Sequence, residues 1–196
     1  MGRVEDRIDP STAAFLEAQP VFFVASAPLA ADGRVNCSPK GNRGELKVLG
    51  PRLLAYADQT GSGAETAAHL RENGRLVLMA CAFSGPPRIV RVHGRGRVVE
   101  RATPEFLDLA RQLPAFAPRS PDRTPPLVPA GVRAVVVLEV ERVSSSCGYG
   151  VPLLRFEGHR SQLDDWAERK GPEGLAAYRA AKNARSIDGL PALGDP

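Results

Sequence analysis

Seven apolar, β-rich runs separated by glycine- and proline-containing turns constrain this chain most, because no helical segment recurs between successive runs. Val21 to Ala27 and Arg34 to Ser38 flank Asp32-Gly33 and read as a strand pair. Leu46 to Leu49 and Leu53 to Ala57 form the next pair across Gly50-Pro51, and Arg75 to Phe83 has the near-continuous apolar content of a buried strand. Ile89 to Val99 sets Ile89, Val90 and Val92 among Arg91, His93, Arg95 and Arg97, a basic side expected to face solvent or an interface. Gly94 and Gly96 are expected to bend or bulge that strand. Val132 to Ser144 closes the series. Strands without repeated βαβ units predict a mainly β fold, a small antiparallel barrel with peripheral helices.

Helix signals fall outside these runs. Pro10 follows Asp9 at a favourable first position, and Thr103-Pro104-Glu105 repeats the pattern with Thr as cap. A third helix is expected from Ser62 to the Asn73-Gly74 stop. Ser161 to Lys170 and Pro172 to Lys182 read as two helices around Gly171-Pro172. Leu113 to Gly131 contains Pro114, Pro118, Pro121, Pro125, Pro126 and Pro129, which predicts a surface connector. At 196 residues and 43% hydrophobic content, one domain is expected over 1–196, with a core at about 15–152 and a C-terminal helical extension at about 153–196.

The formal charge of +4 is spread along the chain, which suits an anionic small ligand better than nucleic acid. No run reaches the ~20 apolar residues of a membrane span, and the polar N-terminus does not read as a signal peptide, so a cytoplasmic protein is expected. Cys37, Cys81 and Cys147 are odd in number and widely spaced, which argues against a disulfide framework or a zinc site. His69, His93 and His159 are isolated, and no nucleophile elbow accompanies them.

Tyr56 to Thr66 is the segment richest in binding chemistry. It runs from a strand through Gly61 and Gly63 into a helix start, with Thr60, Ser62 and Thr66 as hydroxyl donors. Ser62 and Glu65 have capping-box spacing. A helix N-terminus attracts anions, and glycines let a ligand approach the backbone. The segment therefore reads as an anion cradle, or as an ordinary strand-to-helix turn with a good cap. It is neither a Walker A loop nor a three-glycine dinucleotide fingerprint.

With Asn36 to Gly41, Gly85 to Ile89 and Ser146 to Pro152, this segment resembles the pyridoxamine 5'-phosphate oxidase-like family of FMN-binding split β-barrels. The residues that carry the resemblance are Asn-x-Ser-Pro-Lys-Gly, Tyr-x-Asp-x-Thr-Gly-Ser-Gly-x-Glu-Thr, Gly-Pro-Pro-Arg-Ile and Ser-Cys-Gly-x-Gly-Val-Pro. The tail from Asn183 to Pro191 is also similar to the ending of one subgroup. The resemblance implies a flavoprotein homodimer with FMN at the subunit interface, both chains contributing to each site. It implies flavin-dependent oxidoreductase activity on an unidentified small molecule or electron donor, with the cofactor carrying the redox chemistry. Carried over by position, the cofactor-binding residues are Ser38, Pro39, Lys40, Tyr56, Asp58, Thr60, Gly61, Ser62, Gly63, Thr66, Arg88, Ile89, Cys147, Gly148 and Tyr149. The fold also accommodates a deazaflavin or haem, and a non-catalytic flavin-binding role is the other alternative.

The better-known oxidases place an Arg-Lys pair where Glu65 and Thr66 stand here, so phosphate charge falls to Lys40, Arg88 or another arginine. The C-terminal segment that binds the vitamin phosphate in those enzymes is not reproduced, and Trp166 reads as a packing residue. Cys147 fits a small packed residue or a redox thiol. Tyr149 fits a loop anchor, a flavin stack or a proton donor.

Overall fold

Eight strands form one antiparallel sheet in the computed structural model, which describes residues 2–42, 44–116 and 128–194. They are β1 (Arg3–Glu5), β2 (Phe22–Ser26), β3 (Asn36–Lys40), β4 (Leu46–Gly50), β5 (Leu53–Gln59), β6 (Arg75–Cys81), β7 (Ile89–Glu100) and β8 (Val132–Ser146). Their order is β3-β2-β6-β7-β8-β5-β4, with β1 added to β8. The sheet is the expected split barrel, with β3 and β4 at the two ends of its strand order.

Alternation explains how the barrel fills. Phe22, Val24 and Ser26 of β2 are buried, whereas Phe23 and Ala25 on the opposite face are half-exposed. Phe22 meets Tyr56 edge-on, with ring centroids 5.6 Å apart, inside a core shared with Leu78, Val92 and Leu138. Residues Val132 to Leu138 are buried on both faces, which is why β8 reads as a continuous apolar run. Its outer face carries helix α3 (Pro104–Ala110), whose Phe106 packs with Val99, Val135 and Val137.

Helix α1 (Pro10–Ala18) starts at Asp9, whose carboxylate accepts from the Thr12 N–H at 2.9 Å, and α3 starts at Thr103. Helix α2 (Glu65–Asn73) stops at Gly74, φ 70°. The C-terminal helix α4 (Gln162–Lys182) breaks at Gly171 (φ 66°, ψ 174°), which gives the expected pair of helical pieces. The connector over 113–131 includes a 3-10 turn at Pro114–Phe116, while Pro118, Pro121, Pro125 and Pro126 lie outside the described residues.

Two features differ from the sequence expectation. Strand β1 is too short and too polar to show an apolar period, yet its backbone pairs with Val143 to Ser145. Helix α2 begins at Glu65 rather than Ser62, its N-cap is Ala64, and no side chain caps it. The Ser62–Glu65 capping box is therefore not formed.

The expected irregularity in β7 is a register shift between His93 and Gly94. A Cβ on Gly94 would stand 1.9 Å from the Glu139 carbonyl oxygen. Backbone must yield to admit it, so Gly94→Ala should destabilise the fold by roughly 2–3 kcal/mol. Thermal denaturation should show this as a Tm lower by about 8 °C.

Candidate functional site

A buried ion cluster ties the edge strand β3 to β5 and β8. Lys40 Nζ at the end of β3 donates to Asp58 Oδ1 at 2.7 Å, and Arg133 Nε from β8 donates to Asp58 Oδ2 at 2.7 Å. The Asp58 and Arg133 side chains are only 6% and 7% exposed, so these ions are shielded from solvent. Burial pushes the Asp58 carboxyl up, but the two cations outweigh it and hold it below the ordinary carboxylate range. Glu45 lies beside this cluster, buried, accepting from the N–H groups of Gly41 and Asn42 and from Gln59 Nε2. Burial wins there, and its carboxyl is pushed up.

The same cations shape the turn that follows β5. Arg133 Nη1 donates to the Gly63 carbonyl at 2.8 Å, and Asn183 Nδ2, just past α4, donates to the Gly61 carbonyl at 2.8 Å. Thr60 donates to the Gly131 carbonyl and accepts from Arg179 Nε at 2.9 Å. With these carbonyls held, Ser62 lies in a bend and the helix starts only at Glu65, which accounts for the missing cap. The first-turn N–H groups of α2 lack intrahelical partners by geometry and lack a side-chain cap here. They carry the positive end of the helix dipole.

Thr66 stands at this helix start and accepts from Asn36 Nδ2 at 2.9 Å, while Ser38 donates to Asn36 Oδ1 at 3.0 Å. The Thr66 hydroxyl proton is left to donate elsewhere. Ser62 is exposed, and a Cβ built on Gly61 would meet nothing within 4 Å. Lys40, Ser38, Gly61, Ser62, Gly63 and Thr66 thus gather around one turn, open over Gly61 and covered at Gly63 by the Glu65 carboxylate.

Three residues expected to touch a cofactor are buried on the strand side of that turn. Tyr56 is fully buried against Phe22, its hydroxyl shielded and its ionisation pushed well up by burial, so it belongs to the core. Both Asp58 carboxylate oxygens are taken by cations, and Thr60 is fully buried. Pro39 is exposed on the outer edge of β3.

The other expected residues collect elsewhere. Ile89 pairs with Ser146, and Gly148 (φ 66°) lies so close to Arg88 that a Cβ would be 2.9 Å from the Arg88 nitrogen. Arg88, exposed Cys147 and Phe15 border a cleft of about 500 Å³. Tyr149 is 82% exposed at the far end of this loop. His69 is a core residue, paired through Nδ1 with Ser26 Oγ at 2.9 Å. Among the described residues no group of three His, Cys, Asp or Glu could hold a metal ion.

Sequence reasoning missed Arg133, Arg179, Asn183 and Glu45. Arg133 had a signal, a lone cation inside the apolar run Val132 to Val140. Arg179 and Asn183 share one helix face at four-residue spacing, but nothing local says what that face meets.

The profile of the pyridoxamine 5'-phosphate oxidase family matches residues 8–147, which spans strands β2 to β8 with Lys40, the 61–66 turn and Arg88. The chain belongs to this family. It is 40% identical over 190 residues to the pyridoxamine 5'-phosphate oxidase family protein ustO of Aspergillus flavus, covering 89% of this chain and 71% of that protein. A conserved hypothetical protein from Mycobacterium tuberculosis has a similar fold, with TM-score 0.52 at 15% identity, over 80% of this chain and 96% of its own. An FMN-binding protein of Nostoc punctiforme related to pyridoxamine 5'-phosphate oxidase aligns at 15% identity over 64% of this chain and 73% of its own, with TM-score 0.46. In this family member the split β-barrel is the scaffold that holds the open turn beside Lys40. No helix among the described residues is long and apolar enough to cross a membrane.

Proposed function

We propose that the chain is a flavin-dependent oxidoreductase that binds FMN at the 61–66 turn and acts on a small molecule as a homodimer. The observation that carries this reading is the open space over Gly61, bordered by Ser62, Thr66 and the uncapped start of α2. These donors fit a phosphate: hydroxyls, free backbone N–H groups and the Lys40 ammonium, whose bond to Asp58 uses one of its three protons. The Arg-Lys pair of the better-known oxidases is absent, so Lys40 and the helix dipole supply the positive potential, while Arg133 sets the turn from below. Bound flavin supplies electron or hydride acceptance at its ring system. Family membership supports an oxidoreductase, since the family carries the name of an oxidase.

A second copy suits the outer face of β2 and β6. Phe23, Ala25, Val77 and Met79 lie there in paired register, half-exposed, continued by exposed Pro39 on β3. A contiguous apolar face of this kind marks an interaction site. A homodimer formed on it would place β3, with Ser38 and Lys40, at the subunit boundary.

The visible spectrum of the purified protein, with chromatography of whatever acid releases, tests the cofactor. A yellow protein releasing FMN is expected; release of a deazaflavin or haem would replace it. Thr66→Ala should weaken FMN binding about tenfold, the worth of one hydrogen bond to a charged group, and Lys40→Ala by at least as much. Fluorescence titration of the flavin-free proteins measures both, and unchanged affinity in the two variants would remove this site assignment.

A further inference from the structure

The cleft beside α1 has chemistry of its own. Arg88 is half-buried in its wall, with its guanidinium carbon 4.8 Å from the Phe15 ring centroid. Its Nη2 donates to Thr12 Oγ1 at 2.8 Å, and that hydroxyl passes the contact on to Asp9 at 3.0 Å. Among the described residues no carboxylate forms a salt bridge with Arg88, so one guanidinium edge remains for an acceptor from solution. The second cation of the lining, Arg3, is already paired with Glu5.

We propose that this cleft binds a small monoanionic carboxylate, its charged end on Arg88 and its apolar body against Ala82, Pro86 and Pro87. A guanidinium edge matches the two oxygens of a carboxylate, and Phe15 and Thr12 pre-set its plane. The charge balance selects the class. One uncompensated cation neutralises a monoanion, whereas a phosphate dianion would leave a negative charge unbalanced in a partly enclosed site. The volume of about 500 Å³ suits a compound of the size of an aryl carboxylate. Ser145 and Ser146 complete the rim. Naming this carboxylate as the substrate rests on the oxidoreductase reading; its binding does not.

The test is ligand-observed NMR titration of the full chain with benzoate, neutral benzamide and inorganic phosphate, in flavin-saturated and flavin-free protein of measured flavin content. Benzoate should bind at about 1 mM or tighter and at least about tenfold better than benzamide, the worth of a bidentate charged contact. Arg88→Met should lose about tenfold, and Arg88→Lys should fall between, keeping charge without the fork. Ser84→Trp, on the exposed rim, should block the cleft while leaving Arg88 intact. Equal binding of benzoate and benzamide, phosphate matching benzoate, or full benzoate affinity in Ser84→Trp or in folded Arg88→Met would overturn the proposal. Benzoate binding with the expected selectivity in a protein that takes up no flavin would support the carboxylate site and remove only its link to redox chemistry.

Discussion

Replacing Asp58 with asparagine should lower the stability of the folded chain by about 3–5 kcal/mol, the usual effect of removing one partner from a buried ion pair. Asparagine keeps the shape and removes the charge, leaving Arg133, 7% exposed, and Lys40, 18% exposed, without their shared carboxylate. Arg133 also holds the Gly63 carbonyl, so strain at the ion cluster passes into the turn. For a chain of this length the loss corresponds to a Tm lower by about 10 °C. Circular dichroism melts of both proteins at pH 7 measure it; a change under about 2 °C would show that the cluster is well solvated. The pH dependence follows from the depressed folded-state pKa of Asp58. Its stabilisation is fully present above the unfolded value near 3.8 and is lost as pH falls through the lower folded value. The wild type should therefore gain stability over the variant on going from strongly acidic pH to pH 5, and keep a constant margin above it.

What the sequence made legible was local. The helix start near Asp9-Pro10, the cap at Thr103, the Gly74 stop and the break at Gly171-Pro172 each depend on neighbours in the chain, and each is found in the fold. The strands were legible because their apolar periods differ from those of the helices, and β1 escaped because three polar residues show no period. The cradle was legible as composition but not as geometry. Ser62 loses the cap role because Arg133 and Asn183, 70 and 122 residues away from their acceptors, fix the carbonyls of Gly63 and Gly61. Tyr56 and Asp58 sit in the motif for what they hold up, and only burial distinguishes that from contact with a ligand. Arg88 and Cys147 looked like part of the same constellation, yet in one chain they border a different cleft.

Filling the cradle separates ligand binding from folding more sharply than any truncation around it. Gly61→Val should reduce FMN affinity at least about 100-fold, a loss of roughly 2.7 kcal/mol comparable to two hydrogen bonds with a charged group. Its Cβ would project into open space, and Gly61 is not among the positive-φ glycines, so valine is sterically and conformationally accepted. The Tm of the flavin-free variant should stay within about 1 °C of wild type, as for a surface substitution. The turn has little room to move aside, because Asn183 holds the Gly61 carbonyl from below. Gly50→Val is the matched control: a Cβ there also meets nothing within 4 Å, but the residue ends β4 and lies away from the turn, so FMN affinity should be unchanged. Parallel fluorescence titrations and melts of the three proteins decide the matter. An FMN affinity within about threefold of wild type in Gly61→Val would place the phosphate outside the turn, since a branched side chain in that space removes the approach to the α2 N–H groups.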